Sequence, residues 1–194
     1  MKEPDVQLPG LLALVGLLVW VGYELLLRRR EDPGAASWQG GAADRGSTYL
    51  LIATYVVVVV VNVVLTSGHL GRLPAGWRWA GVGLVAAGLA LRAWGMATLG
   101  RFYTRTLRTT GDQRVVREGP YRLVRHPGYC GSLLVWVGYA LGLGNAIATV
   151  LTAGLLLGAY SWRIVAEERL LVAAFGEEYE RYRRRTKRLV PYVY

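Results

Sequence analysis

The sequence predicts an all-α, polytopic integral membrane protein whose chain crosses the bilayer five times. Of its 194 residues, 53% are hydrophobic, and they fall in long uninterrupted blocks rather than in the alternating pattern of a soluble domain. A block of about 18 or more apolar residues is long enough to span a bilayer as a helix. Since backbone groups inside lipid are satisfied only within helices or closed barrels, blocks of this length and composition indicate helices.

Polar segments separate the five apolar blocks. The first block ends at the arginine triplet 28–30, and the second contains the valine run 56–61, which is expected to face lipid. The dipeptide at residues 144–145, Gly-Asn, predicts a tight turn, so the last two spans form a helical hairpin. The third block is rich in glycine, which favours close helix packing. These glycines are Gly81, Gly83, Gly88 and Gly95. The predicted spans cover residues 8–27, 49–66, 79–99, 129–143 and 146–167.

The charge distribution predicts the orientation. The net charge of +10 comes from 23 basic and 13 acidic residues, and the segments 101–125 and 169–188 beside apolar blocks hold most of the basic ones. Five spans place both segments and the triplet 28–30 on one side, which the positive-inside rule assigns to the cytoplasm, with the N-terminus outside. Basic membrane flanks attract anionic lipid, so membrane lipids are expected partners and nucleic acid is not. A composition rich in Ala, Gly, Val and Arg predicts a bacterial inner-membrane protein.

The turn before the fourth span is the first candidate site. Pro127 biases His126 away from helical geometry and is suited to begin the helix that follows. Exposed backbone N–H groups at such a helix start suit a carboxylate or another polar ligand group. Tyr121 and Tyr129 lie on either side, where they can stack on a base or face a cation. An interfacial cap with aromatic anchors fits the same residues equally well.

The second candidate site lies near the end of the fifth span. Arg163 is in an apolar helix, where a charge is costly and indicates function. Glu167 is four residues further on and therefore shares its helix face. A helix-end ion pair with a snorkelling arginine is the alternative. Arg92, in the third span, is also expected to be buried. Cys130 is the only cysteine, so neither an intrachain disulfide nor a cysteine-rich metal site is expected, and no metal is predicted.

Three motifs occur in order in the C-terminal half. Gly-x-Tyr-x-x-x-Arg-His-Pro-x-Tyr covers residues 119–129, Glu-Glu-x-x-Leu covers 167–171, and Phe-Gly-x-x-Tyr-x-x-Tyr covers 175–182. Together, with the hairpin between them, they resemble the isoprenylcysteine carboxyl methyltransferase family and its prokaryotic relatives. The resemblance covers about residues 100–194. It implies two parts, residues 1–99 with three spans and residues 100–194 as the methyltransferase core.

The resemblance implies S-adenosyl-L-methionine as cofactor, in a cytoplasmic pocket that the tail closes over the start of the fourth span. It implies a cofactor contact for Glu167 and a place beside the substrate for Arg163, and these two residues are the predicted catalytic pair. Gln113 departs from the family pattern, which often has histidine at this position. The other implied cofactor-binding residues are Gln113, Arg114, Val115, Val116, Tyr121, His126, Pro127, Gly128 and Tyr129.

The implied reaction is O-methylation of a carboxylate on a lipophilic, isoprenylcysteine-like acceptor. A carboxylate is already ionised at neutral pH, so positioning and electrostatics suffice and no general base is needed. The partner is then a lipophilic small molecule or a prenylated substrate. One alternative is N-methylation of a phospholipid or amine, which needs a base and makes Glu168 or His126 the candidate. A second alternative is a non-catalytic protein with the same fold. The oligomeric state stays open.

Overall fold

The computed structural model describes residues 4–30, 46–100 and 115–190, and in the first helix it describes the side chains of residues 7–26. These residues form α-helices and one 3-10 turn, and no strand occurs among them. The helices are α1 Pro4–Arg30, α2 Ser47–Ser67, α3 Ala75–Leu99, α4 Pro127–Leu143, α5 Ala146–Phe175 and α6 Glu177–Arg185, with the 3-10 turn at Gly119–Arg122.

Four of these helices are long and apolar enough to cross a membrane. They are α1, α2, α3 and α5, whereas α4 has 17 residues and lies just below that length. The all-helical architecture of an integral membrane protein is therefore confirmed, and the crossing by α4 stays a prediction.

Helix α5 is longer than predicted. It continues beyond residue 167 to Phe175 and ends at Gly176, whose φ of 51° lies in the left-handed region that glycine adopts without strain. The residues between are good helix formers, so charged groups at 167–169 do not interrupt the helix. As a result, Arg163 and both glutamates of the Glu-Glu motif lie on one rigid element.

Helices α3 and α4 are antiparallel and meet through glycine. A Cβ atom added to Gly81 would lie 2.4 Å from the backbone nitrogen of Gly142, and one added to Gly88 would lie 2.6 Å from the carbonyl oxygen of Gly131. Close packing is thus confirmed at both positions, and it occurs within this chain. Gly95 faces Pro127 at 3.5 Å, an ordinary contact. Gly83 has open space around it within this chain, so close packing at this position stays a prediction.

An aromatic cluster forms the centre of the bundle. Tyr55 of α2 stacks on Trp136 of α4 with ring centroids 4.9 Å apart, and Trp20 of α1 packs edge-on against both rings. Tyr160 of α5 completes the cluster, its hydroxyl 3.1 Å from that of Tyr55. Most of the valine run 56–61 points outward, as expected for a lipid-facing helix, while Val58 is fully buried. Helix α4 therefore lies in the middle of the molecule.

The predicted hairpin of α4 and α5 is present. Gly144 has a φ of 82°, and Asn145 caps α5 by accepting a hydrogen bond of 3.0 Å from the backbone nitrogen of Ala148. The Asn145 amide also donates to the carbonyl oxygens of Leu65 and Leu70. These bonds tie the hairpin turn to the end of α2 and fix where α5 begins.

Candidate functional site

The first turn of α4 is built as the sequence predicts. His126 is the N-cap, with φ −125° and ψ 58°, and Pro127 occupies the first helical position. The 3-10 turn Gly119–Arg122 precedes it. Proline is pre-organised for this place, because its fixed φ suits a helix start and its missing N–H is not needed there. The cofactor-binding turn predicted at residues 126–129 is therefore a rigid helix start.

The tail packs over this turn. The backbone nitrogens of Arg125 and His126 donate to the carbonyl oxygens of Lys187 and Arg188, at 2.8 and 3.1 Å. The Cys130 thiol donates to the carbonyl oxygen of Leu189 at 2.7 Å. The chain after α6 thus runs along the segment that leads into α4, which places the tail against the predicted cofactor turn.

Tyr129 joins the two candidate sites. Its hydroxyl accepts a 3.1 Å hydrogen bond from Nε of Arg163 and donates a 2.8 Å hydrogen bond to Oε2 of Glu167. The guanidinium of Arg163 also reaches α2, where Nη1 donates to Ser47 Oγ at 3.0 Å and Thr48 Oγ1 at 2.9 Å. Arg163 is buried, whereas the side chain of Glu167 is 29% exposed. The cluster therefore pairs a fixed cation with a carboxylate that a ligand can reach.

His126 lies between the two glutamates of the Glu-Glu motif. Its Nε2 is 3.4 Å from Oε1 of Glu168 and its Nδ1 is 3.9 Å from Oε1 of Glu167. The ring is buried and packs against Tyr129 with centroids 5.8 Å apart. His126, Tyr129, Arg163 and Glu167 therefore form one contiguous group, which we call the Tyr129 cluster.

Glu168 is the centre of a second, buried charge group. Its Oε1 accepts a 2.8 Å hydrogen bond from Nε of Arg125, and its Oε2 accepts bonds of 3.1 and 2.9 Å from Nε and Nη2 of Arg188. Arg125 also donates to the carbonyl oxygens of Arg183 and Thr186. The side chain of Glu168 is 3% exposed. We call Arg125, Glu168 and Arg188 the tail clasp, since they join α5, the tail and the segment before α4.

Two tyrosines of the third motif support the tail. The Tyr182 hydroxyl donates to the carbonyl oxygen of Tyr121 at 2.7 Å, and the Tyr179 ring packs against that of Tyr182. Burial raises the pKa of Tyr182 to about 12 and also raises the pKa of Tyr179. Both phenols therefore stay protonated at neutral pH, and they act by packing and hydrogen bonding.

The remaining predicted cofactor residues lie around this centre. Val116 and Pro127 are buried, while Val115, Tyr121 and Gly128 are half-buried. Gln113 and Arg114 lie outside the described residues. The structure thus brings the predicted turn and the predicted helix face together, while the contacts of the segment before Val115 stay a prediction.

Three charged residues, Glu24, Arg92 and Arg188, were not assigned to the site from sequence. Nη1 of Arg92 donates to the carbonyl oxygen of Gly128 at 2.9 Å, and Nη2 of Arg92 pairs with Oε1 of Glu24. Arg92 therefore touches the backbone of the predicted cofactor turn. Glu24 and Arg188 were both missed, because one resembles a helix-end charge and the other belongs to a run of basic residues. A lone acid inside an apolar span is the signal that points to Glu24.

A groove of about 250 Å³ lies on another side of α5. At about 100° per residue, the α5 side chains that line it are half a turn away from Arg163 and Glu167. It therefore does not coincide with the Tyr129 cluster. Its lining is Val165, Glu168, Arg169, Val172, Glu180, Arg183 and Arg188.

Comparison with known proteins agrees with the motifs. The model of the isoprenylcysteine carboxyl methyltransferase (ICMT) family matches residues 81–173. A probable protein-S-isoprenylcysteine O-methyltransferase from Oryza sativa subsp. indica is 31% identical over 184 residues, which cover 91% of this chain and 93% of the relative. This chain belongs to the isoprenylcysteine carboxyl methyltransferase family.

Two further relatives define the extent of the likeness. The protein-S-isoprenylcysteine O-methyltransferase of Schizosaccharomyces pombe is 32% identical over 114 residues, covering 58% of this chain and 48% of the relative. The solved structure of the eukaryotic intramembrane Ras methyltransferase ICMT matches with a TM-score of 0.58 at 21% identity, covering 75% of this chain and 52% of that one. The second likeness shows a shared fold.

The family likeness extends further towards the N-terminus than the motifs indicate. The matched region begins at Gly81, so it includes most of α3, in which no family signature was recognised from sequence. Gly81, Gly88 and Arg92 of α3 contact α4 directly. Since α3 holds α4 in place, its inclusion in the family region has a physical reason.

Proposed function

We propose that this protein is an S-adenosyl-L-methionine-dependent methyltransferase that O-methylates the carboxylate of a prenylated, isoprenylcysteine-like acceptor in the membrane. Family membership supports methyl transfer, the cofactor and the class of acceptor. The observation that carries the proposal is the Tyr129 hydroxyl, which binds a buried arginine on one side and a partly exposed carboxylate on the other. A cation suited to the acceptor carboxylate, Arg163, and a carboxylate suited to the cofactor, Glu167, therefore both contact the Tyr129 hydroxyl.

The residues at the start of α4 fit the chemistry of the cofactor. S-adenosylmethionine carries a carboxylate, an ammonium group and ribose hydroxyls. At the start of α4 the N–H of Gly128 can bind a carboxylate, since the N–H groups of His126 and Tyr129 already donate to backbone carbonyl oxygens. Glu167 offers a carboxylate to an ammonium or a hydroxyl. The rings of Tyr129 and His126 pack together beside Glu167, and aromatic rings attract cations. We assign cofactor binding to this turn, to Glu167 and to residues 113–116 with Tyr121.

When bound, the cofactor supplies an electrophilic methyl group. Arg163 has the charge and the fixed position to orient the acceptor carboxylate, because α2 and Tyr129 together hold its guanidinium. Such a pre-organised cation lowers the cost of bringing a nucleophile into line. Tyr129 holds Arg163 and Glu167 in a fixed relation, so the acceptor and cofactor sites keep their spacing.

The charge groups also bear on the alternative, amine N-methylation. That reaction needs a base that can take a proton from the substrate. Both oxygens of Glu168 accept hydrogen bonds from guanidinium groups, and its side chain is 3% exposed. His126 is buried behind Tyr129. These contacts favour a reaction without a general base, which is carboxylate methylation.

The proposed topology has five spans. Helix α4 adds a span to the four crossings by α1, α2, α3 and α5. Its 17 residues lie at the lower limit for crossing, and its partner α3 crosses beside it. The N-terminus is then outside, and the basic tail and the site are cytoplasmic, in a bacterial inner membrane. Residues 1–99 form the N-terminal three-helix part and residues 100–194 form the methyltransferase core.

Methyl transfer to paired acceptors tests this function. The purified protein is incubated with labelled S-adenosylmethionine and a farnesylated cysteine that has either a free carboxylate or a carboxamide. We expect turnover with the carboxylate alone, and a fall of at least about a hundredfold in kcat/KM for Arg163→Gln, as for loss of a pre-organised electrostatic group. Thr48→Ala, which removes one contact of Arg163 but leaves the guanidinium, is the matched control. Equal turnover of both acceptors would contradict the proposed chemistry.

A further inference from the structure

A buried ion pair lies inside the predicted membrane-spanning part of the bundle. Glu24 is on α1 and Arg92 is on α3, and each side chain is 10% exposed. Ionisable groups within transmembrane helices are costly and are by default associated with function. Neither residue belongs to the Tyr129 cluster or to the tail clasp, so their retention inside the bundle calls for a separate explanation.

Arg92 makes two different kinds of contact through two different nitrogens. Nη2 binds the carboxylate of Glu24. Nη1 donates to the carbonyl oxygen of Gly128 and to Ser132 Oγ, both at 2.9 Å. The guanidinium also lies 5.8 Å from the ring centroid of Trp20. Glu24 thus holds one side of the guanidinium while the other side holds α4.

The contact to Gly128 falls within the proposed cofactor turn. Gly128 lies between His126 and Tyr129. A shift of its carbonyl group therefore moves the start of α4 and, with it, the backbone that carries the Tyr129 side chain. One turn further along α4, Gly131 touches the backbone of α3 at Gly88. The glycine contact fixes the distance between the helices, and Arg92 adds a directional bond at the end of α4 that bears the site.

We propose that the Glu24–Arg92 pair is a positioning device for the cofactor turn, with Arg92 holding the first turn of α4 through Gly128 and Glu24 holding Arg92. This inference rests on the proposed function, because it assigns the turn to the cofactor. Arg92 is a positioning residue in this account and touches neither the cofactor nor the acceptor. A pair that only joined α1 to α3 would need no bond to Gly128.

Cofactor affinity and thermal stability separate the two roles. The dissociation constant for S-adenosylmethionine is measured by calorimetry, and the melting temperature is measured in the same detergent. Glu24→Gln removes the charge but keeps an amide oxygen that can accept from Nη2 of Arg92, so Arg92 stays held. We therefore expect a lower melting temperature and a Kd within about twofold of the wild type. Glu24→Met combined with Arg92→Met replaces the pair by apolar side chains, a change that proteins often tolerate without loss of stability. For this double variant we expect a melting temperature near the wild-type value and a Kd at least roughly tenfold higher, since the turn loses its support.

A third variant covers the case in which the double variant does not fold. Arg92→Lys keeps the charge, but one nitrogen replaces the two that now contact Glu24 and Gly128. We expect at least about a threefold rise in Kd with little change in melting temperature. A wild-type Kd in a folded double variant, or in Arg92→Lys, would overturn the inference. If the wild-type protein itself binds no S-adenosylmethionine, the proposed function fails and the inference fails with it.

Discussion

Helix α4 is held in two different ways along its length. Against α3 it is held by backbone contact at Gly81 and Gly88, where a single added Cβ atom would overlap main-chain atoms. The segment that leads into its first turn is held by charge, through the tail clasp around Glu168. The glycine contact is disrupted by added side-chain volume and does not depend on charge. The tail clasp is disrupted by loss of a charge and depends little on side-chain volume. The first contact sets where the helix lies, and the second sets what covers the site.

The largest effect is expected from adding volume to the glycine contact. Gly88→Leu places a large side chain where a Cβ alone would lie 2.6 Å from the carbonyl oxygen of Gly131. The helices must separate, so we expect a loss of about 3 kcal/mol or more, at the upper end for overpacking, and little monodisperse protein on size-exclusion chromatography. Gly83→Leu is the matched control, because that glycine of the same helix faces open space. Similar behaviour of both variants would contradict the packing of α3 on α4.

A smaller effect on the helix bundle is expected from removing the centre of the tail clasp, because the clasp holds the tail and not the packing of α3 on α4. Glu168→Ala leaves Arg125 buried without its carboxylate, which typically costs about 3–5 kcal/mol when a buried pair loses one partner. Because this loss falls on the tail, we expect faster proteolysis after residue 176 and weaker cofactor binding, while the glycine contact keeps the bundle folded.

The matched control for the clasp is another glutamate–arginine pair. Glu178 of α6 binds Arg117 at 2.9 Å, but both side chains are almost half exposed. Exposed pairs contribute little, so Glu178→Ala should change stability by about 0.5 kcal/mol or less. If both glutamate variants release the tail equally, the distinction between buried clasp and surface pair is wrong.

The smallest effect is expected from a single neutral hydrogen bond of the tail. Tyr182→Phe removes the bond to the carbonyl oxygen of Tyr121 and keeps the packing of the ring. A bond of this kind contributes about 1 kcal/mol, which thermal unfolding in detergent can resolve. Tyr49→Phe removes the same atom from an exposed ring and should leave the melting temperature unchanged. A larger loss than in Glu168→Ala would mean that the aromatic contact, and not the charge, holds the tail.

The positions of the helices could be predicted from sequence, whereas the end of α5 and the packing side of α3 could not. Apolar blocks located α1, α2, α3 and the hairpin, since the bilayer thickness dictates their length. The end of α5 was missed because charges at 167–169 resemble a membrane boundary, although those at 167 and 168 are satisfied inside the fold. Gly83 was grouped with the packing glycines because the sequence of α3 alone does not show which side of this helix faces α4.

The site was predicted where residues lie close together in a motif. His126 and Tyr129 are three residues apart, and Arg163 and Glu167 are four apart, so sequence spacing alone suggested each half of the Tyr129 cluster. The Glu24–Arg92 pair joins positions 68 residues apart, and the Arg188–Glu168 pair joins a tail to a helix. Glu24 and Arg92 each stand out as a charge in an apolar span, but the sequence does not show which charges pair, because only the packing of the helices brings them together.

Calorimetric binding of S-adenosylmethionine to the detergent-purified protein, compared with Tyr129→Phe, tests the central claim most directly. The Tyr129 hydroxyl bonds two charged groups, and such bonds contribute about 1.5–3 kcal/mol. We therefore expect measurable binding by the wild type, an affinity lower by a factor of about ten or more in Tyr129→Phe, and an unchanged affinity in Tyr49→Phe. Wild-type affinity in a folded Tyr129→Phe variant, or no binding by the folded wild type, would contradict the assignment of the Tyr129 cluster as the cofactor site.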